Sequence, residues 1–203
     1  MNYPLTIRNL IESFKKLPGI GEKTAERLAL SIFELDDDII EMFSKSLKDI
    51  KTKIKRCEIC SNYSEKNLCE ICLSDSRDKK TICIVEEPKN IILFEKMGSY
   101  NGSYHVLGGL ISPLAGIGPG DINLASLINR IKQDDIDEVI LAIKPTVEGE
   151  TTSLYIAKFL KDFDVDISKI AHGIPLGAEM EYIDSLTLEF ALEDRRKISL
   201  KEE

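Results

Sequence analysis

Apolar residues in the first third of the chain recur at the three- and four-residue spacing of amphipathic helices. This spacing predicts one helix over residues 7–17, which ends at Pro18, and a second helix over residues 21–33. A third helix is predicted to begin at the acidic run 36–38. It carries an apolar seam made of Ile40, Phe43, Leu47, Ile50 and Ile54.

Beyond residue 79 the pattern changes to short apolar runs that alternate with helical stretches. It predicts strands at residues 81–85, 104–107, 139–143 and 166–171, and helices at residues 90–97, 122–131 and 151–163. Such alternation implies an α/β fold with parallel strands layered with helices. The last segment predicts a helix around residues 186–192 and an edge strand over residues 195–200, with a charged tail as the alternative.

The turn between the first two predicted helices reads Leu-Pro-Gly-Ile-Gly over residues 17–21. Gly19 and Gly21 allow backbone geometry that a side chain would block, and they let a phosphate approach the N–H groups at the start of the next helix. Lys23 and Arg27, one helical turn apart, would flank that phosphate. We therefore predict a helix-hairpin-helix that binds the nucleic-acid backbone without reading bases; an ordinary turn with solvated charges is the alternative.

The third predicted helix is rich in lysine. In a helical reading Lys48, Lys51 and Lys55 share one face, which predicts a surface that follows a nucleic-acid backbone; a solvated face is the alternative. Residues 1–56 carry 11 Lys/Arg and 9 Asp/Glu, whereas the remainder carries 16 and 26. Because attraction to phosphate is screened beyond about 10 Å, this local excess outweighs the net charge of −8.

Four of the five cysteines form two Cys-x-x-Cys pairs with eight residues between them. Cys57, Cys60, Cys69 and Cys72 can close four sulfurs around one tetrahedral ion, and Zn²⁺ suits a site of four thiolates. Such a site has no open position, so we predict a structural zinc. A pair of disulfides is the alternative, but nothing else in the chain looks secreted. Cys83 lies inside a predicted strand and is expected to fill core volume.

The composition, with 43% hydrophobic and 31% charged residues, is typical of a globular protein. No apolar run approaches the roughly 20 residues of a membrane span. The first four residues lack the features of a signal peptide, so we expect a cytoplasmic protein with reduced or metal-bound thiols and no membrane partner. His105 and His172 have no nucleophile placed beside them by motif and are expected to be structural.

Several strings, taken together and in order, resemble the RecR family of bacterial recombination mediators nearly end to end. They are the hairpin at 17–21, the four cysteines, Ile-Val-Glu-Glu-Pro-Lys (84–89), Tyr-His-Val-Leu-Gly-Gly (104–109), Pro-Thr-Val-Glu-Gly-Glu (145–150) and Gly-Ile-Pro-Leu-Gly (173–177). The resemblance implies a helix-hairpin-helix region at 1–56, a four-cysteine zinc finger at 57–72, a Toprim domain at 79–175 and a C-terminal assembly segment at 176–203.

The same resemblance implies a non-enzymatic function in recombinational DNA repair. Members of the family act as ring-shaped clamps, often tetramers, which assemble through contacts between N-terminal regions and between C-terminal regions. Their partners are RecO and RecF, with which they help to load the RecA recombinase at single-stranded gaps. A cytoplasmic, nucleoid-associated protein is expected.

Catalytic Toprim relatives have a glutamate at the end of the first strand and an Asp-x-Asp-x-Glu series after a later strand. Glu86 and Glu148 match the glutamates here, whereas Lys144 and Thr146 replace the Mg²⁺-binding aspartates. Because an ammonium cannot hold Mg²⁺ as a carboxylate does, we expect no cleavage, joining or synthesis of DNA; a Mg²⁺-dependent enzyme that nicks or rejoins DNA is the alternative. Glu86, Glu148 and Glu150, beside Lys144, are expected to form a partner interface, with a weak Mg²⁺ site as the alternative.

Overall fold

Three helices form the first of the two units into which the chain divides, at the boundary between Ile54 and Lys55. The computed structural model describes residues 3–171 and 173–197. The helices are α1 (Leu5–Lys15), α2 (Glu22–Phe33) and α3 (Asp37–Lys53), which confirms the three helices predicted from apolar spacing. Ile11, Ala25 and Ala29 form the buried core between α1 and α2. We call residues up to Ile54 the helical unit and the rest the sheet unit.

The end of α3 differs from the prediction. The helix stops at Lys53, and Ile54 has extended backbone angles, φ −83° and ψ 127°. Lys55 instead starts strand β1 (Lys55–Arg56), which pairs antiparallel with β2 (Tyr63–Ser64). The expectation that Lys55 shares a helical face with Lys48 and Lys51 is therefore wrong, because strand pairing with a later segment overrides the local helical pattern.

The sheet unit is built on four parallel strands in the order β4-β3-β5-β6. They are β3 (Asp78–Val85), β4 (Gly102–Val106), β5 (Glu138–Ala142) and β6 (Asp166–Lys169). Each coincides with a strand predicted from a short apolar run. The parallel α/β arrangement is also confirmed, and it brings the carboxyl ends of β3 and β5 side by side at one edge of the sheet.

Helices connect these strands. They are α5 (Pro88–Met97), α6 (Leu124–Gln133) and α7 (Val147–Leu160), preceded along the chain by the short α4 (Glu70–Leu73). All three connecting helices were predicted, although α7 begins four residues earlier than expected because the side chain of Thr146 caps it. Brief 3-10 turns occur at Pro113–Ala115 and Met180–Tyr182.

The sheet buries apolar side chains on both faces, as a parallel sheet covered by helices should. Ile82 and Ile84 project into one cluster, and Cys83 and Val85, which alternate with them, project into another. Cys83 is 1% exposed, so its predicted place in the core is confirmed. Burial raises the pKa of its thiol to about 12, which keeps it protonated and unreactive at neutral pH.

The C-terminal part of the described chain forms the predicted helix, α8 (Ser185–Glu193), which Asp184 caps by accepting a hydrogen bond from the Thr187 N–H. Residues 195–197 form no strand. The remainder of the predicted edge strand, and His172, lie outside the described residues. Across residues 3–171 and 173–197, no helix combines the length and the apolar character needed to cross a bilayer.

Candidate functional site

The four paired cysteines converge in the sheet unit. Their sulfur atoms all lie within 4.8 Å of one another, and Cys60 Sγ is 3.5 Å from Cys69 Sγ. Sulfurs placed about 2.3 Å from a central zinc would be about 3.8 Å apart, so the observed spacing fits a tetrahedral zinc site. All five cysteines are free thiols, which removes the disulfide alternative.

Each cysteine pair is held by a tight backbone turn. In the first, the Ser61 N–H donates to the Cys57 carbonyl at 2.9 Å, and Ser61 takes up a positive φ of 61°. In the second, the Leu73 N–H donates to the Cys69 carbonyl at 3.0 Å. The Cys69 N–H also points at Cys57 Sγ, 3.3 Å away, and such a donor stabilises a thiolate. The two turns therefore aim the thiols at one point.

The pKa values of the clustered thiols also favour a bound cation. The hydrogen bond with Cys69 and burial raise the pKa of Cys60 far above that of an ordinary thiol, while the same hydrogen bond lowers the pKa of Cys69. Thiols packed this closely cannot all lose their protons unless a positive ion compensates their charge. The donor set thus fits a structural zinc, with a closed shell and no position left for catalysis.

The zinc-binding turn continues directly into the sheet. The Val106 N–H at the end of β4 donates to the Cys60 carbonyl at 2.9 Å, and Asn123 Nδ2 donates to Ser61 Oγ at 2.7 Å. Asn123 Nδ2 also donates to the Val106 carbonyl at 3.1 Å. Because β4 is an edge strand, the metal-binding turn supplies a hydrogen-bond acceptor on the side of β4 that faces no other strand. Neither Asn123 nor Ser61 belongs to a recognisable motif, and sequence reasoning missed both.

His105 lies beside this junction and is fully buried. Its Nε2 is 2.7 Å from the Asn123 carbonyl, and burial lowers the pKa of the ring to about 4. The imidazole is therefore neutral at physiological pH, where Nε2–H donates to that carbonyl. This environment agrees with the structural role expected for His105.

An ion pair joins the carboxyl ends of β3 and β5. Lys144 Nζ lies 3.1 Å from Glu86 Oε1, and the Glu86 side chain is only 20% exposed. The ammonium therefore lies directly beside Glu86, where it opposes a second cation. Among the described residues, the four cysteines are the sole group of three or more potential ligands close enough to hold a metal ion.

The other two predicted acidic residues lie in the first turn of α7. Glu150 accepts from Lys169 Nζ with both carboxylate oxygens, at 3.0 Å each. Glu148 is half-buried in the same turn. Glu86 and Glu150 thus each face a different lysine, which balances their charges within the protein.

A close backbone approach fixes the loop between β5 and α7. A Cβ atom added at Gly149 would lie 1.9 Å from the Lys144 carbonyl oxygen. The Thr146 N–H donates to the same carbonyl at 2.9 Å, and Thr146 Oγ1 accepts from the Gly149 N–H at 3.2 Å. The glycine in Pro-Thr-Val-Glu-Gly-Glu is therefore required by packing, and it sets where Lys144 lies.

The residues predicted to contact phosphate lie in the turn between α1 and α2 and in the first turns of α2. Gly19 has a φ of +81°, a region that favours glycine. Gly21 is the N-cap of α2 and supplies no side-chain cap, and a Cβ at either glycine would meet nothing within 4 Å. Lys23 and Arg27 are exposed on the first turns of α2. An anion can therefore reach the backbone here.

The three lysines predicted to form one surface are divided between the units. Lys48 and Lys51 are exposed on α3 in the helical unit. Lys55 lies on β1 in the sheet unit and donates to Asn67 Oδ1 at 2.5 Å. Contact of Lys48 and Lys51 with DNA and contact of Lys55 with DNA are therefore two separate hypotheses.

Comparison with protein-family models gives four consecutive matches. Residues 7–51 match the RecR helix-hairpin-helix, 54–74 the four-cysteine zinc finger domain of RecR, 80–171 the Toprim domain and 173–196 the RecR C-terminal region. A helical hairpin, a four-cysteine metal site and a Toprim sheet in one chain define a zinc-finger protein of DNA recombination and repair. More particularly, the chain belongs to the RecR family.

Proposed function

We propose that the protein is a non-enzymatic clamp that holds DNA during recombinational repair. The observation that carries this proposal is the uncapped start of α2, where Gly19 and Gly21 leave the backbone open. Lys23 and Arg27 lie on the two turns that follow. N–H groups, a helix dipole and two cations at one place suit a phosphate and carry no base specificity.

The double substitution Lys23→Ala and Arg27→Ala tests these contacts. Affinity for DNA of any sequence is expected to fall about tenfold or more, because two phosphate contacts are lost. The slope of log affinity against log salt should become shallower by about 2. Fluorescence anisotropy with labelled duplexes of unrelated sequence, titrated at several salt concentrations, measures both quantities.

A second double variant, Lys132→Ala and Lys158→Ala, is the matched control. Both lysines are exposed in the sheet unit and outside the proposed contacts. It removes the same formal charge and should leave affinity nearly unchanged. Wild-type affinity in the Lys23/Arg27 variant, or an equal loss in the control, would contradict the assignment. Further phosphate contacts are proposed from Lys48 and Lys51 on α3, and from Lys55 on β1.

The absence of catalysis is proposed from the Lys144 and Glu86 ion pair. An ammonium 3.1 Å from Glu86 opposes a divalent cation at that position. Supercoiled DNA is expected to remain intact with the protein and Mg²⁺, and Mg²⁺ should hardly change the Tm. In the Lys144→Asp variant Glu86 loses its cation, so Mg²⁺ should raise the Tm more than in the wild type. Nicking that Glu86→Gln abolishes would establish the Mg²⁺-dependent enzyme instead.

Assembly into a ring-shaped homotetramer is proposed as the means of clamping DNA. In its support, α3 exposes apolar side chains that a single chain leaves in water: Met42, Leu47 and Ile50 are 63%, 58% and 62% exposed. Every residue of α3 belongs to the described chain, and none is buried. Large apolar side chains exposed along one helix favour contact with another protein surface. Solution mass measured over a range of protein concentrations would show whether tetramers form.

The partners proposed are RecO and RecF, with which the clamp would help to load RecA at single-stranded gaps. The proposed partner interface lies at the carboxyl ends of β3 and β5, which carry Glu86, Lys144, Glu148 and Glu150. Binding of purified RecO or RecF that persists unchanged after charge reversal at Glu148 and Glu150 would argue against this surface. Cytoplasmic, nucleoid-associated location follows from the proposed ligand, and live-cell imaging of a tagged protein tests it.

A further inference from the structure

An arginine and a tyrosine lie against each other on the two paired strands of the zinc finger. Arg56 and Tyr63 are direct cross-strand partners in the pairing of β1 with β2. The Arg56 guanidinium carbon is 4.7 Å from the centroid of the Tyr63 ring, within the range of a cation–π contact. Tyr63 nevertheless keeps 52% of its surface exposed. Two planar groups are thus presented to solvent together.

The pair is held in place before any ligand arrives. Arg56 Nη1 donates to the Ser61 carbonyl at 3.2 Å, and Ser61 belongs to the turn that carries the first two cysteines. The same turn is joined to the sheet through Asn123. A guanidinium fixed at both the ring and the turn loses little conformational freedom when it binds, which favours recognition.

Positive charge extends from this pair toward the carboxyl end of β3. The ion pair with Lys89 lowers the pKa of Glu87, and the charges of Lys144 and Arg56 act on it in the same direction. Glu86 Oε1 is 3.1 Å from Lys144 Nζ, and Glu87 Oε2 is 2.5 Å from Lys89 Nζ. Two lysines and Arg56 therefore lie close to these two carboxylates.

Exposed aromatic and guanidinium planes with an exposed lysine nearby suit single-stranded nucleic acid. Every base has a π-face that can stack on such planes, whereas the bases of a duplex are already stacked and enclosed. The hydrogen bond with Glu87 and, as a smaller contribution, the interaction with Tyr63 raise the pKa of Lys89. The Lys89 side chain is 73% exposed, so a phosphate can reach it. The phosphate contacts proposed at the start of α2 do not involve Arg56 or Tyr63, and neither residue is a metal ligand.

We propose that Arg56 and Tyr63 form a stacking platform for an unpaired base of single-stranded DNA, with Lys89 beside it for the adjacent phosphate. This inference rests on the proposed DNA-binding function and adds to it a site in the sheet unit that distinguishes single strands from duplexes. It reads no base identity, because stacking tolerates any base.

The full-length, zinc-loaded protein tests this platform. Affinities for a labelled oligothymidylate and for a duplex of equal length are measured for the wild type, Tyr63→Ala and Tyr63→Phe. Tyr63→Ala is expected to lower affinity for the single strand about tenfold and to leave duplex affinity unchanged. Tyr63→Phe keeps the ring and should keep the affinity. Because stacking releases no counterions, the salt slope of Tyr63→Ala should match that of the wild type.

Tyrosine emission supplies a second measurement that does not depend on the alanine variant folding. The chain has six tyrosines and no tryptophan. Oligothymidylate should quench part of the wild-type emission, and Tyr63→Phe should lose that part while it still binds. Equal single-strand affinity in Tyr63→Ala and the wild type, parallel losses on both DNA forms, or equal quenching in Tyr63→Phe would overturn the platform.

These results separate the two proposals. If the wild type binds neither form of DNA, the clamp function itself fails. If the Lys23/Arg27 variant loses affinity for both forms while Tyr63→Ala loses none, the clamp function stands and the platform is wrong. Equal zinc content and equal Tm among the Tyr63 variants establish that only the contact has changed.

Discussion

Replacement of Cys69 by serine is expected to abolish stoichiometric zinc binding and to lower the free energy of unfolding by about 4 kcal/mol or more. Cys69 is 5% exposed and is the N-cap residue of α4, and its Sγ lies 3.5 Å from Cys60 Sγ across the cluster. In small metal sites the free energy of metal binding is largely free energy of folding, so loss of one ligand affects the whole segment. Metal analysis and denaturant unfolding measure the two effects.

The fifth cysteine offers the matched control. Cys83 is as deeply buried as the ligands but lies in β3, in a different cluster. Cys83→Ala should therefore keep one equivalent of zinc and lose only the stability of a small cavity, about 1 kcal/mol. A Cys69→Ser protein with full zinc and unchanged stability would refute the structural role of the site.

Loss of zinc should also be detectable in the sheet at one particular amide. The Val106 N–H donates to the Cys60 carbonyl, so hydrogen exchange at Val106 is expected to accelerate in Cys69→Ser. The Ile84 amide in the central strand β3 provides a reference within the same sheet. Equal protection of Val106 in both proteins would mean that the metal-binding turn and the sheet are not coupled.

Substitution of Gly149 by alanine is expected to destabilise the sheet unit by about 3 kcal/mol or more. The added methyl group would lie 1.9 Å from the Lys144 carbonyl oxygen, and this obstacle is backbone and not a flexible side chain. Either α7 or the loop after β5 must move. Thermal unfolding should show a lower Tm, and the ion pair of Lys144 with Glu86 should be disturbed.

Gly120→Ala is the appropriate comparison. Its φ is not positive, and a Cβ there would meet nothing within 4 Å. The substitution is expected to change the stability by less than about 1 kcal/mol. If both glycine variants unfolded at the same temperature as the wild type, the close approach at Gly149 would not constrain the loop.

The sequence allowed the strands and the metal ligands to be predicted because their signals are local. Apolar runs of five residues identify β3 and β5, and the two Cys-x-x-Cys pairs fix four ligands by spacing alone. The predicted parallel strands also place Glu86 and Lys144 at neighbouring strand ends, where they form an ion pair although 58 residues separate them. The parallel topology brings these two strand ends together although they are far apart in the sequence.

Other features could not be predicted because they depend on contacts between distant segments. Lys55 continues a helical pattern but pairs with Ser64 in a strand. The hydrogen bond from Asn123 to Ser61 spans 62 residues and joins two side chains that belong to no motif. Short-range periodicity contains no information about which of two competing pairings is realised in the folded chain.

The hydrogen bond between Val106 and Cys60 also bears on solubility. An unpaired amide at the border of a sheet is a template onto which a strand from another molecule can add. In this protein a metal-held turn covers that position at the end of β4. Loss of the metal would free this amide, so we expect the metal-depleted protein to aggregate through this border of the sheet more readily than the zinc-loaded protein.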